Sequence, residues 1–242
     1  MRVVAIIQAR LGSERLPGKV LRDIAGEPML VRVVNRTQRA AIIDEVVIAT
    51  TEAVPDKAIA ELCELKDWDC FCGHEYDVLD RYYKAARQYH ADVVVRITSD
   101  CPLIDPEIID LTVSQFLENG PPSYASNTLP SRTFPRGLDV EVMTFEALER
   151  AWREDTNSIW REHVSPYIYY NPDLFEILGV KNDNDYSHMR WTVDTPEDLA
   201  FVRLVYEHFE HDHFSWHEVI SLLDKKPELI DINKLVMQKK IP

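Results

Sequence analysis

The chain has 242 residues, of which 45% are hydrophobic, and a formal net charge of −14. This length is enough to bury the core of one domain, and so negative a surface repels phosphate backbones, which excludes nucleic-acid binding through a general basic patch. The charge is uneven, since residues 1–40 carry a net charge of +5 and the remainder carries −19. A cationic region within an acidic protein indicates a small anionic ligand rather than a polyanion.

The hydropathy and cysteine patterns suggest a cytoplasmic protein. The first apolar run, Val3–Ile7, is too short for a signal peptide and leads directly into charged residues. No apolar run approaches the roughly 18 residues of a membrane-spanning helix, so no membrane association is expected. Four cysteines show neither zinc-site spacing nor a disulfide framework and are predicted to be reduced thiols: Cys63, Cys70, Cys72 and Cys101.

Short apolar runs alternate with helix-like segments along the first half of the chain. The runs are unbroken and rich in β-branched residues, which is typical of strands buried on both faces of a parallel sheet. The alternation therefore predicts βαβ units and an α/β, Rossmann-like fold with a mostly parallel sheet. Strands are predicted at Val3–Ile7, Glu45–Thr50, Trp68–Cys72 and Asp92–Thr98. Helices are predicted to begin at Glu27-Pro28 and to cover Pro55–Lys66, Asp77–His90 and Pro106–Leu117, with Asp77 as an N-cap.

The alternation ends near residue 120. The stretch NGPPSYASNTLPSRTFPRG, residues 119–137, is predicted as an irregular excursion rather than a linker, because Tyr124 and Phe134 require burial. We expect a single domain over residues 1–242, with the excursion at about 120–170 and a C-terminal extension at about 211–242. Later strands are predicted at Leu138–Met143 and Leu174–Val180, and later helices at Pro196–Glu210 and Trp216–Asp224.

A basic, glycine-containing loop, Gln8–Gly18, directly follows the first predicted strand. Ligands of parallel α/β sheets bind beyond the carboxyl ends of the strands, and backbone N–H groups beside Arg and Lys side chains form anion sites. The loop lacks the spacing of a Walker A motif and of a dinucleotide fingerprint. It therefore predicts an anion site of another kind, with a solvated basic loop as the alternative. Its cations are Arg10 and Arg15, and Lys19 and Arg22 follow just beyond it.

Two aspartates are predicted to face this loop. Asp100 follows the fourth predicted strand in RITSDCPLID, and Asp194 precedes a predicted helix in RWTVDTPEDLAFV. Two carboxylates opposite a cationic loop suit Mg²⁺ bound to a polyphosphate. The spacing alone leaves other roles open, since Asp100 fits a turn and Asp194 or Thr195 fits a helix cap.

Three motifs carry a resemblance to a known family. QARLGSERLPGK, RITSDCPLIDP and VDTPEDL resemble the cytidylyltransferases that make CMP-activated acidic sugars, and the similarity covers roughly residues 1–210. GLDVEVM and REHVSPYIYYNP are most similar to the branch of the spore coat polysaccharide biosynthesis protein F, to which the CMP-Kdo and CMP-sialic acid synthetases are related. The chain has Asp-Cys-Pro-Leu at residues 100–103 where the CMP-Kdo enzymes carry DEPL, so the resemblance leaves the acceptor open.

The resemblance implies a fold of the nucleotide-diphospho-sugar transferase type and a homodimer formed through the excursion. It implies magnesium-dependent transfer of CMP from CTP to an acidic sugar or related anionic acceptor, with release of pyrophosphate, in surface polysaccharide or glycoconjugate synthesis. The implied catalytic residues are Arg10, Lys19, Asp100 and Asp194, of which the two aspartates are also magnesium ligands. The residues predicted to bind the nucleotide are Ala9, Arg10, Gly12, Ser13, Arg15, Lys19, Gly73, Asp77, Arg81, Thr98 and Ser99.

The acceptor is predicted to lie against FPRGLDVEV and WREHVSPY. Arg136 is suited to a carboxylate or phosphate as a bidentate partner. A core position for His163 and an exposed strand position for Glu141 are equally consistent with their neighbours in the sequence. The residues predicted to contact the acceptor are Arg136, Glu141, Glu162, His163 and Trp191.

Two other functions fit parts of the pattern. A glycosyltransferase of the same fold would bind a nucleotide sugar, but the basic loop supplies more positive charge than a diphosphate needs. A non-catalytic nucleotide-binding protein has no need of Lys19, Asp100 and Asp194 together. The preference for cytosine over uracil rests on the resemblance alone.

Overall fold

The computed structural model describes residues 1–118 and 120–239. Asn119, where the predicted excursion begins, and residues 240–242 of the predicted C-terminal extension lie outside the described residues. The strands are β1 (Val3–Gln8), β2 (Asp23–Ile24), β3 (Glu27–Pro28), β4 (Glu45–Thr51), β5 (Asp69–Gly73), β6 (Val93–Thr98), β7 (Tyr124–Ser126), β8 (Glu141–Thr144) and β9 (Ile177–Gly179). The helices are α1 (Met29–Thr37), α2 (Lys57–Lys66), α3 (Val78–Gln88), α4 (Pro106–Glu118), α5 (Phe145–Glu154), α6 (Ser158–His163), α7 (Pro166–Tyr169), α8 (Pro196–Phe209) and α9 (Trp216–Lys225).

A seven-stranded sheet organises the described residues, in the order β5-β4-β1-β6-β8-β7-β9. Strands β5, β4, β1 and β6 are parallel, whereas β8 pairs antiparallel with both β6 and β7. The predicted α/β fold with a mostly parallel sheet is confirmed. Gln8 pairs in register with Ala49 and with Thr98, so the chain leaves β1, β4 and β6 at the same edge. This edge brings the basic loop after β1 next to Asp100, two residues beyond β6.

The central strands are apolar because both faces of the sheet are covered. Ala5 and Ile7 pack in one buried layer that includes Leu30 of α1, while Val4 and Ile6 pack in a second layer with Leu79 of α3. Burial on both faces explains the unbroken apolar run of β1, since an alternating pattern would place polar side chains on one of the two buried faces.

The helix predicted to begin at Glu27-Pro28 begins at Met29 instead. Residues 27 and 28 form β3, which pairs with β2 in a short hairpin, and Pro28 is the N-cap of α1 with extended backbone (φ −54°, ψ 146°). The prediction was wrong by two residues because proline suits the first helical turn and an extended cap equally well.

The segment after residue 120 contains more regular structure than the sequence predicted. Strand β7 and helices α5 and α7 were missed, and the strand predicted at Leu138–Met143 begins only at Glu141. The reason is the buried side chain of Asn127, which donates to the Leu138 carbonyl at 2.6 Å and accepts from the Val140 N–H at 2.9 Å. Its amide replaces the ladder partners that a strand would require. The strand predicted at Leu174–Val180 is shortened to β9.

The fully buried Arg36 of α1 joins distant parts of the chain. Its guanidinium donates to the carbonyls of Ile104 at 2.6 Å, Asp212 at 3.0 Å and Phe214 at 2.9 Å, and pairs with Asp105 at 3.3 Å. Asp105 also accepts the first N–H of α9. These bonds attach the segment between α8 and α9 to α1 and to the residues before α4. None of the helices in the described ranges is long and apolar enough to cross a membrane.

Replacing Arg36 with alanine is expected to destabilise the fold strongly. The substitution leaves the buried Asp105 carboxylate without its cation, which typically costs about 3–5 kcal/mol. Urea unfolding followed by circular dichroism measures the loss. The matched control is Arg153→Ala, because Arg153 is 61% exposed and pairs with Glu149 along the surface of α5, so its loss is expected to stay below about 1 kcal/mol. Equal losses in the two variants would contradict the role given to Arg36.

Candidate active site

The loop after β1 is held in one shape by backbone hydrogen bonds. The Leu11 carbonyl accepts from the N–H groups of Ser13 at 2.8 Å and Gly18 at 3.1 Å, and the Leu11 N–H donates to the buried carboxylate of Asp56 at 2.7 Å. Gly18 adopts the left-handed region (φ 67°) that glycine favours. At Gly12, no atom of the described residues outside its two chain neighbours lies within 4 Å of the position that a Cβ would take. The loop is therefore fixed in shape and leaves space beside Gly12.

Lys19 brings the two predicted aspartates together. Its Nζ donates to Asp100 Oδ2 at 2.9 Å, to Asp194 Oδ1 at 2.8 Å and to the Val193 carbonyl at 2.9 Å. The side chain of Asp100 is 26% exposed, and Thr98 Oγ1 donates to its other oxygen at 2.6 Å. Three segments that are far apart in the sequence therefore meet at one ammonium group.

The charges at this centre stabilise one another. Burial disfavours the Asp100 carboxylate, but the Lys19 ammonium and the hydrogen bond from Thr98 outweigh burial and lower the pKa of Asp100 to about 2. Burial also disfavours the Lys19 ammonium, and the two carboxylates outweigh it and raise the pKa of Lys19. Both groups are therefore ionised at neutral pH.

Two arginines hold the second oxygen of Asp194. Arg15 Nη2 and Arg190 Nη2 each lie 2.9 Å from Asp194 Oδ2. Arg190 also pairs with the fully buried Asp198, from Nε at 2.8 Å and Nη2 at 3.0 Å. Asp198 in turn accepts from the N–H groups of Asp194 and Thr195 at the start of α8. The sequence analysis missed Arg190, although its position four residues before Asp194 was a usable signal.

The oxygen atoms around Lys19 Nζ fit the ligand preferences of Mg²⁺. One oxygen each from Asp100, Asp194 and Val193 converges on a single cationic group, and magnesium prefers oxygen ligands with only one or two protein carboxylates. Within residues 1–118 and 120–239, no group of three or more His, Cys, Asp or Glu side chains is arranged for metal binding. A magnesium ion here would take further ligands from substrate phosphates or water.

A second group of predicted residues lies along α6. Arg10 Nη2 is 2.8 Å from Glu162 Oε1, and Asp77, which caps α3, pairs with Arg161 at 2.8 Å. Arg161 was not predicted. The buried Arg81 donates to the carbonyl of His74 at 2.6 Å. This bond holds the loop that follows Gly73 in place.

The remaining nucleotide residues lie at the strand edge. The buried Ala9 donates its N–H to the Ala49 carbonyl at 3.1 Å, and the buried Ser99 donates its N–H to the Gln8 carbonyl at 3.2 Å. Gly73 ends β5, and its carbonyl accepts from the Glu52 N–H at 3.0 Å. These contacts are made by the backbone, and direct nucleotide contacts by these residues stay predictions.

The residues predicted to contact the acceptor do not form one cluster. Glu141 pairs with Arg96 and accepts from the hydroxyls of Tyr124 and Ser165, so its carboxylate is committed to a partly buried network. Trp191 is 1% exposed and packs in the hydrophobic core, which does not support contact with an acceptor. His163 is half-buried, and burial followed by the nearby Arg96 lowers its pKa. The acceptor roles of all these residues stay predictions.

Removing Lys19 is expected to change how stability depends on pH. The folded-state pKa of Asp100 lies below its usual value of 3.8, so its stabilisation is present above about pH 4 and is lost as the pH falls toward 2. In Lys19→Met, burial without a counter-charge raises this pKa. The variant should therefore be less stable than wild type by about 2 kcal/mol or more at pH 6, with the difference shrinking between pH 4 and pH 2.

Urea unfolding at a series of pH values measures this difference. Lys57→Met is the control, because Lys57 is an exposed lysine at the start of α2. A Lys19→Met difference that does not vary between pH 6 and pH 2 would contradict the coupling of Lys19 to Asp100.

Comparisons with known proteins agree with the motifs. The family model described as cytidylyltransferase matches residues 4–226. The spore coat polysaccharide biosynthesis protein SpsF of Bacillus subtilis is 31% identical over 235 residues, which is 93% of this chain and 95% of that protein. The 3-deoxy-manno-octulosonate cytidylyltransferase of Trichlorobacter lovleyi is 38% identical over 135 residues, which is 54% of this chain and 51% of that enzyme.

The structure of a cytidylyltransferase from Leptospira borgpetersenii superimposes with a TM-score of 0.91 at 34% identity, covering 99% of this chain and 100% of that one. The predicted family is therefore confirmed: the chain belongs to the cytidylyltransferases and is a nucleotidyltransferase.

Proposed function

We propose that this protein transfers CMP from CTP to an anionic sugar or related acceptor, with Mg²⁺, and releases pyrophosphate. The observation that carries the proposal is the position of Lys19 between Asp100 and Asp194, beside Arg15 of the loop. The relatives add support for the acceptor class, since one is named for spore coat polysaccharide biosynthesis and another for the sugar acid 3-deoxy-manno-octulosonate.

The transfer is an in-line displacement at the α-phosphorus of CTP. An acceptor oxygen forms a bond to this phosphorus while the bond to the oxygen leading to the β-phosphate breaks. Pyrophosphate leaves with that electron pair, and the proton of an attacking hydroxyl passes to solvent. Such a reaction depends on positioning and on neutralising charge more than on covalent help from the protein.

The cations of the loop are suited to the departing pyrophosphate. Arg10, Arg15 and Lys19 are each paired with a carboxylate in the free protein, and phosphate oxygens would take over these hydrogen bonds. Bound Mg²⁺, held by Asp100 and Asp194, would supply neutralisation of phosphate charge. Arg190 keeps the Asp194 carboxylate oriented through its bond at 2.9 Å.

Asp100 acts as a charged ligand rather than as a base. A general base works best when its pKa lies near the working pH, and the pKa of Asp100 is lowered to about 2. An acceptor that already carries an ionised oxygen, or a hydroxyl next to an anionic group, reduces the need for a protein base. This fits the proposed anionic acceptor.

We also propose that the protein acts in the cytoplasm as a homodimer. The segment of β7, β8 and α5–α7 presents exposed apolar side chains, among them Ile159 at 41% and Tyr170 at 57% exposure. A second copy of the chain would cover such side chains.

The binding of nucleotides tests the proposal directly. CTP with Mg²⁺ is expected to raise the melting temperature more than UTP, ATP or GTP, since a ligand at about a hundred times its Kd adds roughly 2.7 kcal/mol of stability. The shift should shrink when EDTA replaces the metal. Stabilisation by a nucleotide-diphosphate sugar, without stabilisation by any triphosphate, would favour a glycosyltransferase instead.

Turnover tests the assigned catalytic groups. Lys19→Ala is expected to lower kcat at least about a hundredfold, because one preorganised charge contact in a transition state contributes about 3 kcal/mol. Asp100→Asn is expected to lose both activity and magnesium dependence. Pyrophosphate release from CTP with a panel of acidic sugars measures the rates, and Arg22→Ala, an exposed cation near the same loop, is the control. Near-normal turnover by Lys19→Ala would remove the loop from the mechanism.

A further inference from the structure

A pocket of about 160 Å³ lies beside the candidate active site, between the segment before Asp194 and the segment near the C-terminus. Arg136, His188 and Arg190 line one side, and Asn233, Lys234 and Gln238 line the other. No aspartate or glutamate among the described residues lines it. The protein has a net charge of −14, and two of the basic side chains in this lining are already balanced, since Lys234 pairs with Asp231 at 2.6 Å and Arg190 pairs with Asp194 and Asp198. A lining arginine without such a carboxylate would attract an anionic ligand.

Arg136 is the one of three neighbouring arginines whose charge is not balanced. Arg132 is paired with Asp139, and Arg190 with Asp194 and Asp198. The guanidinium of Arg136 makes no hydrogen bond or ion pair with any described residue, and burial followed by the charge of Arg132 lowers its pKa. A partly buried cation without a partner costs free energy that a bound anion would recover.

The backbone holds Arg136 firmly at the wall of the pocket. Its N–H donates to the Met189 carbonyl at 3.0 Å, and its carbonyl accepts from the Trp191 N–H at 2.7 Å. The next residue, Gly137, has a φ of 108°, and a side chain there would come within 2.6 Å of the Thr192 nitrogen. This close approach of two backbones fixes the position from which the Arg136 side chain extends.

The pocket adjoins the atoms of the proposed reaction. Arg190 lines the pocket and also holds Asp194 at 2.9 Å. The segment that forms the opposite wall continues to the loop after β1, where the Met237 carbonyl accepts from Arg15 at 3.3 Å and Lys239 pairs with Glu14 at 2.8 Å. An anion in the pocket would therefore lie beside Arg190, which holds Asp194, and beside the C-terminal segment that contacts the loop after β1.

We propose that this pocket binds an anionic group of the acceptor, a carboxylate or a phosphate, with Arg136 as its principal contact and residues 230–238 as its second wall. The proposal rests on the proposed function, and it identifies the pocket as the part of the protein that selects an acidic acceptor. A planar guanidinium matches both anions through paired hydrogen bonds. The volume suits one such group rather than a second nucleotide, because sites for larger ligands are typically about 300 Å³ or more.

Calorimetric titration of the full chain, saturated with CTP and Mg²⁺ so that the loop cations are occupied, tests the pocket. Inorganic phosphate and gluconate serve as the phosphate and sugar-carboxylate probes. Wild type should bind at least one of them, and Arg136→Gln should raise its Kd at least about tenfold, since hydrogen bonds to charged groups are worth about 1.5–3 kcal/mol. Arg153→Gln, which alters an exposed arginine of α5, should bind as wild type does.

Several outcomes would overturn the proposal. The proposal is wrong if wild type binds neither probe, or if wild type and Arg136→Gln bind a probe with the same Kd. The CTP titration on the same samples reports on the proposed function separately: its Kd should be the same for wild type and Arg136→Gln. If wild type fails to bind CTP, the proposed function fails and the acceptor assignment falls with it, even where anion binding depends on Arg136.

A truncated chain ending at Asn233 tests the second wall. It keeps the bond from Asn233 to Asp198 at 2.9 Å, and its melting temperature checks that it is folded. Its Kd for the bound probe should rise by several fold, and an unchanged Kd would remove the C-terminal segment from the site. With an acceptor that turns over, Arg136→Gln should raise the KM of the acceptor and not that of CTP, and the probe should inhibit competitively with the acceptor. Non-competitive inhibition would place the anion at a separate regulatory site and overturn the assignment.

Discussion

The ammonium group of Lys19, bound by Asp100 and Asp194, is the interaction on which the organisation of this site depends. It joins the loop after β1, the turn after β6 and the residues before α8, which are separated by 81 and 175 positions from Lys19. The three segments are far apart in the sequence, so their meeting depends on the tertiary fold. The parallel pairing of β1 with β6 is what delivers the first two to the same edge of the sheet, and Arg190 with Asp198 positions the third.

The free protein already contains the charges that nucleotidyl transfer requires, but they neutralise one another. Arg10, Arg15 and Lys19 each lie within about 3 Å of a carboxylate. Such pairing limits the free energy lost by burying charge before a ligand arrives. A triphosphate with its metal would exchange these contacts for equivalent ones, with the cations moving to phosphate oxygens and the aspartates to the metal. Cations that are held in place beforehand need little reorganisation during the reaction.

Local patterns in the sequence predicted much of this arrangement. The unbroken apolar run of β1 and the alternation of apolar runs with helix-like segments predicted the sheet. A strand that is buried on both faces is apolar at every position, and this is visible in the sequence. The motif around Lys19 predicted the family and the loop. Other features depend on contacts that no local pattern encodes: Asp77 meets Arg161 across 84 residues, and Asn127 replaces strand pairing beside β8. The hairpin of β2 and β3 was missed because Pro28 is compatible with both a helix start and an extended cap.

A crystal structure of the protein with CTP and Mg²⁺ is the most direct test of the central claim. The account predicts that the triphosphate lies along the loop after β1, that Lys19 Nζ leaves the carboxylates for a phosphate oxygen, and that Asp100 and Asp194 face the metal. A complex in which CTP binds elsewhere, while Lys19 still lies between Asp100 and Asp194, would contradict it.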